Sequence, residues 1–374
     1  MDTTDSVAHT PLPESSEHAS PAIIPSQKHP QKKNIFIPLG LLLCIVILLG
    51  CITVLVSHLY HPPTSAQKPL AKVIFRLNWL HSANFAGVYV AKQKGFYKAA
   101  GLDVDIKAYA ENLDQSAEVG AGKADFGEST PIETLLSIDS GVKIKAIAAI
   151  DQISPEAFAS LKKTNITTPV DLKGKVLGIQ GGNKEAQAKY IALLNSVGLS
   201  KTAATLKDID YHDTIDVHLL RGDADIVDLY RTDDTYFLDT KGISYNLLLP
   251  EKFNVNGYGD IIIASNQIIN QKPDLVRKFV QATLEGWQYA ISHQQEALAI
   301  TKQYEDTDQY KDPKREAYIL SHSAPLIQPT GGEPIGSMSF VVWNQVVNEL
   351  QSQKLIGQSI DPSQVYTSQF IHQQ

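Results

Sequence analysis

The spacing of hydrophobic and polar positions changes repeatedly along this chain, and each change marks an element. An apolar run at 74–79 predicts a strand, a small-residue helix follows over about 85–94 and stops at Gly95, and a second strand covers 102–108. A helix over 113–121 ends at Gly122, and 124–126 reads as a short strand. Thr130, Pro131 and Glu133 have the spacing of a capping box with proline at the first helical position. That helix runs to about 139, stops before Gly141 and leads into a strand at 144–150. Further on, 176–179 is a strand, Gly181 and Gly182 make a close turn, and 184–197 is a helix. A helix over 214–220 meets Gly222 before a strand at 226–230. From Pro273 the apolar residues Val276, Phe279, Val280, Thr283, Leu284 and Trp287 follow a helical i, i+3, i+4 rule. The remainder to Gln374 reads as helical with an aromatic tail at Tyr366 and Phe370. Alternation of this kind predicts an α/β architecture, a mainly parallel sheet with helices on its faces. Gly122-Lys-Ala-Asp125 and Gly222-Asp-Ala-Asp225 each join a helix to a short buried strand, as two lobes built alike would.

The N-terminal pattern differs. Residues 1–34, rich in Pro, Ser, His and Thr, predict a disordered tail. The stretch 35–56 has 22 residues and no charge, enough at about 1.5 Å per residue to span a hydrocarbon core of about 30 Å. Lys28, Lys32 and Lys33 precede it, which places the tail in the cytoplasm and the rest outside. A transmembrane anchor over 35–57 is the favoured reading. A lipoprotein processed at Leu48-Leu-Gly-Cys51 and a plain cleaved signal remain as alternatives. All three deliver an exported domain at or near the outer face of a membrane. Residues 58–70, with Pro62, Pro63 and Pro69, predict an extended tether, and the globular part begins near 71.

Composition narrows the chemistry. A chain of 374 residues, 43% hydrophobic, supplies one large or two medium α/β units. A net charge of -7 without a basic, aromatic-interleaved run argues against nucleic acid. Both cysteines, Cys44 and Cys51, lie in the apolar segment, so no disulfide framework or cysteine-based metal site is expected. No cofactor, metal or catalytic set is assigned.

Several segments resemble the NMT1/THI5-like branch of ABC-importer substrate-binding proteins. They are Leu77-Asn-Trp79, Phe85-Ala-Gly-Val-Tyr-Val-Ala91, Lys94-Gly-Phe-Tyr97, Gly101-Leu-Asp-Val104, Gly122-Lys-Ala-Asp-Phe-Gly127, Asp171-Leu-Lys-Gly-Lys175, Gly181-Gly182 and Pro273-Asp-Leu-Val-Arg-Lys-Phe279, with Ile335-Gly336 and Trp343 beyond. The likeness covers about 73–370. It implies a two-lobed periplasmic-binding-protein type II fold over 71–374, with one lobe of about 71–160 and 264–374 and the other of about 161–263. It also implies a ligand held in the interlobe cleft, closure about a hinge, and ABC permease and ATPase partners. The family's pyrimidine binders often read Asp-Trp-x-Pro-Asn-x-x-His where this chain has residues 78–85. The acid, proline and histidine are replaced by Asn78, His81 and Phe85. A thiamine-precursor pyrimidine, riboflavin, another heterocycle or a sulfonate-type ligand therefore stay open. Enzymatic relatives carry a cysteine-rich iron motif that this chain lacks, so no enzyme activity is expected; a ligand-sensing ectodomain is a further alternative.

A heterocycle needs a flat apolar wall and a few edge donors and acceptors. Asn78 offers both at a strand end, or caps its own loop; Trp79 can stack on a ring, or be core. His81 is a ligand contact or an ordinary loop histidine. Phe85 and Tyr89, four apart on one helix, suit a pocket wall or packing. Ser129 and Thr130 stand at a helix N-terminus, where Thr130 also reads as a cap. Gly181, Gly182 and Asn183 open backbone N–H groups to a ligand, or make a tight turn. Asp228 and Tyr230 end a strand in the second lobe. Trp287 and Trp343 are expected in the core.

Overall fold

The computed structural model describes residues 38–59, 69–111, 113–305, 310–357 and 359–371. They fall into two units, divided between Gln67 and Lys68. In the first, α1 (Leu39–Leu59) is a 21-residue helix without a charged side chain. Among the described residues no helix is long and apolar enough to cross a membrane. Cys44 and Cys51 are exposed thiols on α1. The expected tail at 1–34, and most of the expected tether at 58–70, lie outside the described residues.

The second unit holds two five-stranded sheets. The first contains β1 (Ala71–Arg76), β2 (Leu102–Lys107), β3 (Phe126–Ser129), β4 (Ile144–Ala149) and a late strand, β10. The second contains β5 (Glu156–Leu161), β6 (Val176–Gln180), β7 (Thr205–Ile209), β8 (Ile226–Tyr230) and β9 (Tyr245–Leu248), while β10 itself spans Ile261–Ser265. Their orders, β2-β1-β3-β10-β4 and β7-β6-β8-β5-β9, are the same pattern written twice. Four strands in each sheet run in one direction, and the chain crosses between sheets at 150–156 and 255–261. Each crossover delivers a strand antiparallel to its neighbours, β5 against β8 and β9, and β10 against β3 and β4. The lobe limits expected near 160 and 264 therefore move: β5 belongs wholly to the second lobe and β10 wholly to the first.

The paired Gly-x-Ala-Asp motifs explain the duplication locally. Gly122 and Gly222 take φ of 72° and 78° after their helices, a left-handed stop that glycine adopts without strain. Asp125 Oδ2 then accepts the Ile74 amide at 2.8 Å, and Asp225 Oδ2 accepts the Val176 amide at 2.8 Å. Asp125 thus ties the entry of β3 to the middle of β1, and Asp225 ties the entry of β8 to the start of β6.

Helices α2 (Ala86–Gln93), α3 (Phe96–Ala99), α4 (Gln115–Gly120) and α5 (Pro131–Asp139) serve the first lobe. Helices α6 (Lys184–Ser196), α7 (Ile215–Arg221) and α8 (Thr235–Thr240) serve the second. The chain then returns through α9 (Asn266–Gln271), α10 (Pro273–Ser292), α11 (Gln294–Thr301), α12 (Pro313–Ile327) and α13 (Phe340–Ser352). Trp287 on α10 and Trp343 on α13 are buried, as their periodicity requires. Phe279 stacks on Phe126 at 4.0 Å and on Tyr97 at 5.6 Å, joining α10 to β3 and α3. Thr130 caps α5 by accepting the Glu133 amide at 3.4 Å. Strand β1 starts at Ala71, three residues before the apolar run expected, because Ala71 to Ile74 pair in register with Leu102 to Asp105 of β2.

Candidate functional site

The carboxyl ends of the strands and the two crossovers converge between the lobes, where α/β sheets place ligands. From the first lobe, Asn78 follows β1 and donates from Nδ2 to Asp260 Oδ1 at 2.7 Å. Asp260 opens β10, and its own amide donates to Asp151 Oδ2 at 3.1 Å, joining the two crossovers. Burial, with Asp151 alongside, holds the Asp260 carboxyl well above the usual range. Burial also pushes Asp151 up to about 7.

The second lobe offers Asp228 at 1% exposure, near the end of β8. Its Oδ1 accepts the Gln180 amide at 2.8 Å and its Oδ2 accepts Asn183 Nδ2 at 3.2 Å. Burial raises it to about 6, with those bonds opposing. Asn183 also caps α6, taking the Glu185 and Ala186 amides at 3.0 and 3.2 Å. One turn on, Lys189 pairs with Glu185 at 2.5 Å and donates to Ser154 of the first crossover. Gly181 and Gly182, at φ of 55° and 69°, form the turn before Asn183, with Gly181 beside the Tyr211 ring. Tyr230 is half-buried. Burial, then the charges of Glu185 and Asp260, raise its phenol well above the ordinary value. Charges from both lobes therefore act on that one ring.

The remaining candidates separate. Trp79 stacks on Tyr109 at 5.6 Å and donates from Nε1 to the Tyr310 hydroxyl at 2.8 Å. His81 Nδ1 is 2.8 Å from the Tyr89 hydroxyl. Tyr89 stacks on Tyr304 at 4.3 Å with no exposed surface, and Phe85 is 1% exposed within the first-lobe core. Packing accounts for both rings. Ser129 is buried and accepts from Thr134 Oγ1 at 3.1 Å, so the pair at 129–130 serves the start of α5.

Several residues of this junction escaped the sequence reading. Glu128 of β3 and Glu156 of β5 are 0% and 1% exposed. Among the described residues, none supplies a hydrogen-bond partner to any of their four carboxylate oxygens. Burial raises both well above the usual carboxylate range, followed by Asp260 for Glu128 and by Asp228 for Glu156. Asp233 after β8 receives Arg315 of α12 at 2.6 and 2.9 Å, and Tyr310 donates to it at 3.3 Å. One signal was available: aligning the two Gly-x-Ala-Asp motifs places Glu128 opposite Asp228, which had been singled out.

Residues 82–297 match the family model described as NMT1/THI5 like. The riboflavin-binding protein RibY of Chloroflexus aurantiacus is 27% identical over 315 residues, covering 83% of this chain and 89% of that protein. The 4-amino-5-hydroxymethyl-2-methylpyrimidine phosphate synthase of Legionella pneumophila is also 27% identical over 315 residues, covering 80% and 92%. Among solved structures, the periplasmic aliphatic sulphonate binding protein SsuA of Escherichia coli superposes with a TM-score of 0.62 at 14% identity. That match covers 79% of this chain and 91% of SsuA, and it establishes the shared two-lobed fold.

Proposed function

Because the chain belongs to the NMT1/THI5-like family, we propose that it is the extracytoplasmic solute-binding component of an ABC importer. It captures a small aromatic heterocycle by closure of two lobes and passes it to a permease and its ATPase. The observation that carries this reading is the junction itself: two equivalent sheets turn their strand ends toward one polar seam crossed by two connections. Such a seam binds by burying a ring and satisfying its edge. Asn78, Asn183, Asp228 and Tyr230 are the residues from the sequence reading that lie at the seam, and they are the proposed contacts. Similarity to RibY favours riboflavin, and similarity to the Legionella enzyme favours a pyrimidine. A binding role is preferred to synthesis because Cys44 and Cys51 both lie on α1, outside the two-lobed unit.

Helix α1 is proposed as the membrane anchor. Its 21 residues carry no charge and measure about 31 Å at 1.5 Å per residue. A Cys51→Ser chain that stays in the membrane fraction supports the anchor, whereas release to the soluble fraction indicates lipidation instead.

Titration of the full chain with riboflavin, 4-amino-5-hydroxymethyl-2-methylpyrimidine and an alkanesulfonate tests the binding role. Mass spectrometry of ligand retained through purification accompanies it. A heterocycle bound at micromolar Kd or tighter, about 8 kcal/mol or more, is the expected result. A chain that retains no small molecule and binds none of the three removes the reading.

A further inference from the structure

The duplicated sheets place four carboxyl groups at matched positions. Glu128 pairs with Ile262 on the crossover strand of its sheet, and Asp228 pairs with Phe158 on the crossover strand of the other. Two residues earlier on those crossover strands stand Asp260 and Glu156. Each sheet therefore ends at the seam in two neighbouring acids, Glu128 with Asp260 and Asp228 with Glu156. Within each pair one acid is satisfied by protein: Asp260 by Asn78, and Asp228 by Gln180 and Asn183. The other, Glu128 or Glu156, has both oxygens buried and unpartnered among the described residues. A buried polar group left without a partner is unfavourable, so a fold that keeps one on each lobe holds it for something that arrives later.

Resting on the importer reading above, we propose that Glu128 and Glu156 are specificity-determining carboxyls, one per lobe, which engage N–H or O–H donors on opposite edges of a neutral or cationic heterocycle. An anionic ligand does not fit. Asp151, Glu185 and Glu133 add to the acids of the seam, and the nearest cations, Lys189 and Arg231, are already paired with Glu185 and Glu251 at 2.5 and 2.6 Å. Among the described residues no three His, Cys, Asp or Glu side chains converge as ligands of a metal would. Burial raises both glutamates well above the ordinary carboxylate range.

The test uses the full chain with riboflavin, 4-amino-5-hydroxymethyl-2-methylpyrimidine and an alkanesulfonate as probes. Glu128→Leu and Glu156→Leu are each expected to weaken heterocycle binding at least tenfold, and the Gln variants to recover part of it. Thermal stability should hold or rise in all four, because an orphaned buried carboxyl has been removed; a purely structural role would lower the Tm instead. Should a Leu variant fail to fold, the Gln variant alone decides, through a measurable loss of affinity at unchanged Tm. Heterocycle binding unaffected by the substitutions, or preference for the sulfonate, overturns the inference and leaves the importer standing. Failure of the unaltered chain to bind any probe removes both.

Discussion

At the scale of single residues, the interior holds an unusual number of raised carboxyls. Burial takes Asp228 to about 6, Asp151, Asp234 and Glu133 to about 7, and Glu316 to about 8. In the unfolded chain these groups titrate near about 4. The folded state therefore binds more protons between roughly pH 4 and 8, and stability must fall as pH rises through that window. The acids lowered by partners, such as Asp171 and Asp210, are exposed and contribute little. The Tm should accordingly be higher at pH 5 than at pH 8 in calorimetric scans. Glu316 isolates the effect: its Oε2 accepts the Ala83 amide at 2.6 Å, and its Oε1 has no partner among the described residues. Glu316→Gln keeps the acceptor and removes the charge. It should raise the Tm by about 2–5 °C at pH 8.5 and hardly at all at pH 4.5. The sequence disclosed Asp228 because it stands at the end of a legible strand. Glu128 and Glu156 were hidden because their burial depends on pairing between strands more than 70 residues apart, 128 with 262 and 156 with 230. Local pattern carries no such information.

At the scale of elements, the parallel βα units were legible because each is an apolar run, a glycine stop and an amphipathic helix in order. Strands β5, β7, β9 and β10 were not. β7 exposes four of its five residues and reads as polar loop, while β9 and β10 lie among turns whose role appears only when the two sheets are built. Gly87 was legible as part of a family motif, and the packing supplies its cause. A Cβ there would overlap the Trp287 ring and approach the Trp287 Cα at 2.7 Å. A Cβ on Gly286 would overlap the Gly87 carbonyl and meet the Ala91 Cβ at 2.7 Å. Helices α2 and α10 thus cross backbone to backbone, with no flexible side chain to yield. Gly286→Ala should cost about 2–3 kcal/mol, read as a lower urea midpoint at unchanged slope. The aspartates of the repeated motif act at the same scale. Asp225→Ala leaves the half-buried entry of β6 with one amide unsatisfied and should cost about 1 kcal/mol in the same assay.

At the scale of the whole two-lobed unit, what matters is how closure is held. Helix α12 packs against α10, α11 and the turn at Ala83–Phe85, so it moves with the first lobe. Across the gap, Asp233 of the second lobe takes two bonds from Arg315, and the pair is 7% and 8% exposed. Tyr310 bridges Asp233 to the Trp79 indole, Tyr236 donates to Asp312 at 2.6 Å, and Tyr318 donates to Asp239 at 2.6 Å. Opening the lobes breaks this clasp but returns both charges to water. Removing Asp233 alone takes the bidentate carboxylate from the buried Arg315 guanidinium whenever the lobes close. Asp233→Ala should therefore disfavour the closed form by about 2–3 kcal/mol. A ligand that binds the closed form then loses affinity in proportion to the closed fraction. Small-angle scattering of the ligand-free variant should give a larger radius of gyration than the parent, and titration a weaker Kd. Replacing both partners by apolar residues, Asp233→Leu with Arg315→Met, removes the buried charges together and should restore most of the compactness. If the single variant stays as compact as the parent, the clasp contributes nothing to closure, and the seam's own polar groups must hold the lobes together.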